Sequence, residues 1–110
     1  MLQLLLLTTM LFYDPSVNLT PYLSVLPAEC PVRIDIVSSN NIYYDGYAWY
    51  AGRIIIYDGN NLDYDSKRFV LAHEIGHICS VNNTSGSYDD RERRADDYAY
   101  KLLYNQSEVN

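Results

Sequence analysis

Two histidines four residues apart, with a glutamate directly after the first, are the residues of this sequence best suited to chemistry. They form the run His73-Glu74-Ile75-Gly76-His77 and are the only two histidines among 110 residues. Side chains at positions i and i+4 of a helix lie on one face, so both imidazoles could bind the same metal ion. This spacing is the H-E-x-x-H zinc signature, in which the glutamate activates a water molecule.

The residues on both sides of this run predict a helix that is largely buried. Residues 69–72 and 78–79 carry no charge. We expect Asp65 or Ser66 to cap the start of the helix, because such side chains accept hydrogen bonds from N–H groups of the first turn. The alternative is a core helix whose histidines only form hydrogen bonds. A metal ion explains the pattern better, because every buried polar group needs a partner.

A catalytic zinc ion has three protein ligands and one position for water, so a third ligand is expected. Since the chain has no third histidine, this ligand must be a carboxylate or Cys79, and Cys79 is expected on another face of the helix. Glu92 is the predicted ligand, near the start of a second helix predicted over residues 90–104. The polar segment 82–87 would reverse the chain between the two helices.

Asp96 lies four residues after Glu92, so the two carboxylates share a helix face. From there Asp96 could accept a hydrogen bond from the second ring nitrogen of a metal-binding histidine. Such a bond fixes the tautomer of the histidine and aims its lone pair at the metal. Asp97 is expected to point away from this face.

Both carboxylates also have a purely structural interpretation. Asp89 could cap the second helix while Glu92 completes a capping box. Asp96 could belong to a charged, solvent-exposed face together with Arg93 and Arg94. The sequence leaves the metal-site and the structural interpretations open, because the spacing of Glu92 and Asp96 fits both.

With these residues in view, the chain resembles the ImmA/IrrE family of zinc metallopeptidases. Residues 67–77 and 92–103 and, more loosely, residues 52–57 follow the family's order. The family pattern is R-x-F-T-x-A-H-E-x-G-H, an Ile-rich strand before that helix, and E-x-E-A-N-x-F-A-x-x-L-L after it. Arg94 replaces the second glutamate of this pattern and Asp96 replaces the usual asparagine. Many members also carry a helix-turn-helix region, which we do not expect within these 110 residues.

The resemblance implies a zinc-dependent hydrolase that cleaves a partner protein at a specific site. His73, His77 and Glu92 would bind the zinc ion, and Glu74 would act as the general base. The implied substrate is a helix-turn-helix transcriptional repressor, often encoded beside the peptidase in a phage or mobile element. The alternative is a zinc-stabilised module that sequesters a repressor or antitoxin without cleaving it. Glu74 favours the peptidase, because a structural site has no use for a water-activating base.

Length, charge and cysteine content narrow the class of protein. The chain, residues 1–110, is long enough for one domain with a single core. Its net charge of −6 argues against nucleic-acid binding through a basic patch. Cys30 and Cys79 lack the spacing of a metal knuckle or redox pair, so we expect buried free thiols in a cytoplasmic protein. A secreted protein is the alternative, if the leucine-rich residues 1–13 are a signal segment.

The predicted fold is α+β and zincin-like, with a small, twisted, mostly antiparallel sheet. It would contain an N-terminal helix, the H-E-x-x-H helix and a C-terminal helix with the third ligand. Residues 1–13 are too short to cross a membrane as a helix, and we expect them to form the N-terminal helix. Residues 14–31 hold all four prolines and predict an irregular connection with one short helix. Strands are predicted at residues 32–37, 42–44, 47–51 and 53–57, the last three as a meander.

Overall fold

The computed structural model describes residues 2–6, 9–27 and 30–104. They form an α+β arrangement of five strands and three α-helices. The elements in chain order are β1 (Leu2–Leu6), β2 (Thr9–Tyr13), α1 (Thr20–Leu23), β3 (Val32–Val37), β4 (Gly46–Trp49), β5 (Arg53–Tyr57), a 3-10 turn (Asp58–Asn60), α2 (Tyr64–Cys79) and α3 (Tyr88–Tyr104). None of these helices has both the length and the apolar character needed to cross a membrane.

The five strands form one mixed sheet in the order β1-β2-β3-β5-β4. The two outer pairs, β1 with β2 and β4 with β5, are antiparallel. The two inner pairs, β2 with β3 and β3 with β5, are parallel. The prediction of a mostly antiparallel sheet is therefore wrong. Parallel neighbours need a crossover connection. In chain order, α1 lies between β2 and β3, and β4 lies between β3 and β5.

The predicted N-terminal helix is also wrong, because residues 2–6 and 9–13 form a β-hairpin. Strand β2 receives hydrogen-bonding partners on both sides, from β1 and β3, and its Leu11 is fully buried. A short apolar run is compatible with either a helix or a buried strand, so its pattern alone does not decide. In the fold, β2 pairs with an edge of β3, and this pairing gives the segment a strand conformation. Of the predicted meander, residues 42–44 form a loop rather than a strand.

The core lies between the central strands and α2. Alternate residues of a strand point to one face of the sheet, and the isoleucines of β3 and β5 follow this rule. Full burial of one such side chain contributes about 1.5–3 kcal/mol. The large aliphatic side chains of β2, β3, β5 and α2 that are at most 2 % exposed are Leu11, Ile34, Ile36, Ile54, Ile56, Leu71 and Ile75. This packing fixes one face of α2 against the sheet and leaves another face for α3.

Helices α2 and α3 approach unusually closely at Gly76. A Cβ atom on Gly76 would lie only 2.8 Å from the carbonyl oxygen of Ala95 and 3.0 Å from its Cα atom. Both Ala95 atoms belong to the backbone, so a side chain at position 76 could be accommodated only by moving a helix. The missing side chain therefore brings the face of α3 that carries Glu92 and Asp96 against α2.

Cys30 and Cys79 form a disulfide bond, with Cα atoms 5.9 Å apart. The prediction of free thiols is therefore wrong. The bond ties the last residue of α2 to the segment that enters β3. Two cysteines 49 residues apart give no spacing signal in a sequence, because pairing depends on proximity in the fold.

Candidate metal centre

Helix α2 presents both histidines on the side that faces α3. Their Nε2 atoms lie 3.1 Å apart, and the ring planes are nearly perpendicular, at 86°. The His73 and His77 side chains are only 16 % and 14 % exposed. Two imidazole nitrogens thus converge on one point in a largely desolvated place.

Glu92 of α3 reaches both histidines. Its Oε1 atom lies 3.3 Å from His73 Nε2, and its Oε2 atom lies 2.7 Å from His77 Nε2. The three side chains form a group that could hold a metal ion, with their donor atoms within 4.8 Å of one another. In a tetrahedral site with metal–ligand bonds of about 2.0–2.1 Å, neighbouring ligand atoms are about 3.3 Å apart. The observed spacing fits such a site after small side-chain movements.

Glu92 is available for this role because other residues cap α3. Ser87 Oγ accepts a hydrogen bond from Asp90 N at 3.1 Å, and Asp90 Oδ2 accepts one from Ser87 N at 3.0 Å. This reciprocal pair is a capping arrangement in which the side chains satisfy free N–H groups of the first turn. The capping box considered for Asp89 and Glu92 is therefore absent from the described start of α3. The helix begins at Tyr88, two residues before the predicted start.

The residue that caps the start of α2 also differs from the prediction. Asp63, rather than Asp65 or Ser66, is the N-cap residue, and it accepts a hydrogen bond from Ser66 N at 2.8 Å. The pKa of Asp63 lies below its ordinary value because the Ser66 backbone and side chain hydrogen-bond to the charged carboxylate. The positions of the histidines within α2 are unaffected by this shift of the cap.

Asp96 contacts the side of His73 that faces away from the convergence point. Its Oδ1 atom lies 2.8 Å from His73 Nδ1, a geometry in which Nδ1–H donates to the carboxylate and Nε2 is the ring nitrogen that faces the convergence point. This is the contact that the sequence predicted for Asp96. Asp97 is exposed, and Cys79, the other ligand considered, is bound to Cys30.

Burial shifts the pKa of Glu74 and of His77. It raises the pKa of Glu74 to about 7, with the negative charge of Glu92 adding to this effect and His73 opposing it. Burial also lowers the pKa of His77, although the nearby Glu92 acts in the opposite direction. A neutral His77 offers a lone pair to a metal, and a carboxyl with pKa near neutrality is suited to proton transfer.

A cleft of about 400 Å³ opens above these side chains, between β4 and the start of α3. A second hollow of about 360 Å³ adjoins it and shares Tyr44, Gly46, His73 and Glu74. We call the first the Arg91 half, with the distinguishing lining residues Tyr47, Ala48, Tyr50, His77, Tyr88, Arg91 and Glu92. We call the second the Phe69 half, with the distinguishing lining residues Tyr43, Asp45, Phe69, Val70 and Asp96. Glu74 thus lies where the two halves of the cleft meet.

Gly46 allows β4 to run directly over Glu74. A Cβ atom there would lie 3.1 Å from Glu74 Cγ and 2.9 Å from Ile56 Cδ1. The predicted meander placed Gly46 between the strands at residues 42–44 and 47–51, whereas Gly46 is the first residue of β4. The sequence patterns did not single out Arg91 or the tyrosines of the cleft. Which residues line a cleft depends on the tertiary fold. The one local signal for Arg91 was therefore its position directly before Glu92.

Asn60 holds the loop that forms the rim of the cleft. Its Nδ2 atom shares two hydrogens among Asn41 O, Tyr44 O and Asp45 Oδ1, at 3.0, 3.0 and 2.8 Å. Its Oδ1 atom accepts a hydrogen bond from Asn41 N at 2.7 Å. A single amide side chain therefore connects the turn after β5 with the loop that presents Tyr44 to both halves of the cleft.

Comparisons of the chain with protein-family models, curated proteins and solved structures found no match. The resemblance to the ImmA/IrrE zinc metallopeptidases therefore stays a prediction from sequence motifs. What can be said of function comes from the geometry of His73, His77, Glu92, Glu74 and the cleft around them.

Proposed function

We propose that this chain is a zinc-dependent peptidase. One observation carries the proposal: three side chains that could hold a metal ion converge beside a largely buried glutamate, and all four side chains line an open cleft. A structural zinc site is closed by four protein ligands, whereas a catalytic site has three and leaves a position for water. The donor set of two histidines and one glutamate, His73, His77 and Glu92, is of the catalytic kind.

Zinc held by these residues would supply a Lewis acid that polarises a peptide carbonyl and lowers the pKa of a water molecule. Glu74 accepts the proton of the attacking water and delivers it to the leaving amine. Asp96 holds the ring of His73 in the orientation and tautomer that expose Nε2. Burial of the histidines excludes bulk water, which strengthens each of these interactions.

The position of β4 supports an extended peptide as substrate. This strand pairs only with β5 among the described elements, so its other edge is free. A free edge offers backbone N–H and C=O groups with which an extended peptide can pair. Because Gly46 of β4 lies over Glu74, a peptide paired there would pass the general base. The zincin-like architecture, with a metal helix beneath an edge strand, is part of this proposal.

The disulfide bond bears on where such a peptidase would act. Disulfides persist in oxidising compartments and are rare in the cytoplasm. The bond between Cys30 and Cys79 therefore favours a substrate outside the cytoplasm. The cytoplasmic location and the helix-turn-helix repressor substrate both stay predictions from the sequence and the resemblance. A peptidase of the secreted or surface class is the form of the proposal that the disulfide favours.

The proposal is tested by peptide cleavage with matched variants. Zinc-loaded wild type should cleave members of a mixed peptide library detected by mass spectrometry, and chelation should stop it. Glu74→Gln should retain one zinc per chain but lose about 10²- to 10⁴-fold in rate, because glutamine cannot accept the proton. Asp97→Asn, an exposed change on α3, is the control and should keep its rate. A zinc-loaded wild type that cleaves nothing would instead support a sequestering module.

A further inference from the structure

The two halves of the cleft carry opposite charges beyond the metal-binding group. Among the described residues that line the Arg91 half, Arg91 is the one lysine or arginine. The Phe69 half is lined by Asp45 and Asp96, and no described lysine or arginine lines it. A peptide that passes Glu74 would therefore meet a cation on one side and two carboxylates on the other.

Arg91 is anchored to its place but has hydrogen-bonding capacity left. Its Nη1 atom donates to Gly86 O at 2.8 Å, and its backbone N–H donates to Ser87 O at 3.0 Å. No ion pair involves Arg91 within residues 2–6, 9–27 and 30–104, whereas Arg93 pairs with Asp90 at 2.6 Å. A guanidinium has five N–H donors, so most of them remain for a ligand in the cleft.

We propose that the Arg91 half binds a carboxylate of the substrate on one side of the bond to be cleaved. This inference rests on the proposed peptidase function and names its substrate class. The planar guanidinium matches a carboxylate with two parallel hydrogen bonds, which gives both orientation and charge selectivity. Asp45 and Asp96 disfavour a carboxylate on the opposite side, so the preference has a direction along the peptide.

The carboxylate can belong to an aspartate or glutamate side chain or to the C-terminus of the peptide. Both present the same two oxygens to Arg91. A set of peptides separates the two sources. Glutamate or glutamine is placed at each position in turn, and each peptide is made with either a free C-terminal acid or a C-terminal amide. A gain confined to the free acid would indicate cleavage near peptide C-termini, and a gain from glutamate would indicate cleavage within chains.

The test measures binding of such N-acetylated hexapeptides to the zinc-loaded Glu74→Gln protein by calorimetry. At the favoured position, the carboxylate peptide should bind about tenfold more tightly than its neutral partner, as expected for a partly exposed charged hydrogen bond. Adding Arg91→Gln should reduce this ratio to about one, and Arg91→Lys should retain part of it through charge alone. Arg93→Gln, which changes an arginine on the same helix outside the cleft, should leave the ratio unchanged.

Zinc content and melting temperature confirm that each variant is folded before its ratio of peptide affinities is used. If Arg91→Gln does not fold, the ratio for Arg91→Lys is compared with that of the protein with Arg91 intact. Equal affinities for acid and neutral peptides, no binding of any peptide, or a preference that survives Arg91→Gln would overturn the carboxylate site. Arg91-dependent binding without cleavage by wild type would contradict the peptidase and keep the site. Cleavage by wild type without a charge preference would support the peptidase and contradict the carboxylate site.

Discussion

Gly76→Ala is the change that most directly tests whether close packing of the two helices builds the site. The added methyl carbon would lie 2.8 Å from Ala95 O, 3.0 Å from Ala95 Cα and 3.0 Å from Tyr98 Cβ. Ordinary contacts between nonbonded carbon atoms are about 3.5–4.0 Å. The helices must therefore separate by several tenths of an ångström, and α3 carries Glu92 away from the histidines.

Two opposing terms set the effect of this change on stability. Overpacking a tight contact costs about 1–3 kcal/mol, while replacing glycine by alanine inside a helix favours folding by about 0.8–1 kcal/mol. We expect a net loss of about 0–2 kcal/mol in the free energy of unfolding of the zinc-free protein. Metal sites tolerate deviations of only about 0.2 Å in ligand distance, so zinc affinity should fall more clearly, by about 10- to 100-fold.

The assay combines urea unfolding of the zinc-free protein with a competitive zinc titration against a chelating indicator. Asp97→Ala is the control, because it raises helix propensity at an exposed position of α3 without touching α2. An unchanged zinc affinity in Gly76→Ala, together with a stability gain like that of the control, would refute the idea that this contact positions Glu92.

Three further predictions concern single groups of the fold and the site. Asp96→Ala should lower zinc affinity about 10- to 100-fold, because His73 loses the acceptor of its Nδ1–H hydrogen bond, while the exposed change Asp97→Ala should leave zinc affinity unchanged in the same titration. Reduction of the Cys30–Cys79 bond should lower the urea-derived free energy of unfolding by about 4 kcal/mol through the freedom restored to the unfolded chain, and equal stabilities with and without reductant would contradict this. In zinc-free protein the pKa of Glu74 rises from 4.5 to about 7 on folding, so the folded chain binds more protons and its stability falls as pH rises through this range. Glu74→Gln should therefore exceed wild type by about 3 kcal/mol above pH 7 and by little near pH 4.5 in urea unfolding, and a pH-independent difference would contradict the assignment.

Local periodicity explains why much of the candidate site could be predicted. The four-residue spacing of His73 and His77, and of Glu92 and Asp96, fixes each pair on one helix face whatever the rest of the fold does. Only the approach of α3 to α2 had to be assumed. Gly76 makes that approach possible, and its place inside the H-E-x-x-H run gives no hint of the neighbour it meets.

The features that could not be predicted depend on contacts distant in sequence. The leucine-rich N-terminus lacks a period that separates helix from strand, and β3 supplies the edge that makes it a hairpin. The pairing of Cys30 with Cys79 depends on where α2 ends relative to β3. Arg91 joins the cleft because β4 lies opposite the start of α3, which no local pattern encodes.

The central claim is that His73, His77 and Glu92 hold one zinc ion beside Glu74. Crystals grown with zinc and measured on both sides of the zinc absorption edge test it most directly. We predict a single anomalous peak per chain about 2.0–2.2 Å from both Nε2 atoms and from a Glu92 oxygen. The absence of a peak at these atoms, or a peak held by other residues, would contradict it.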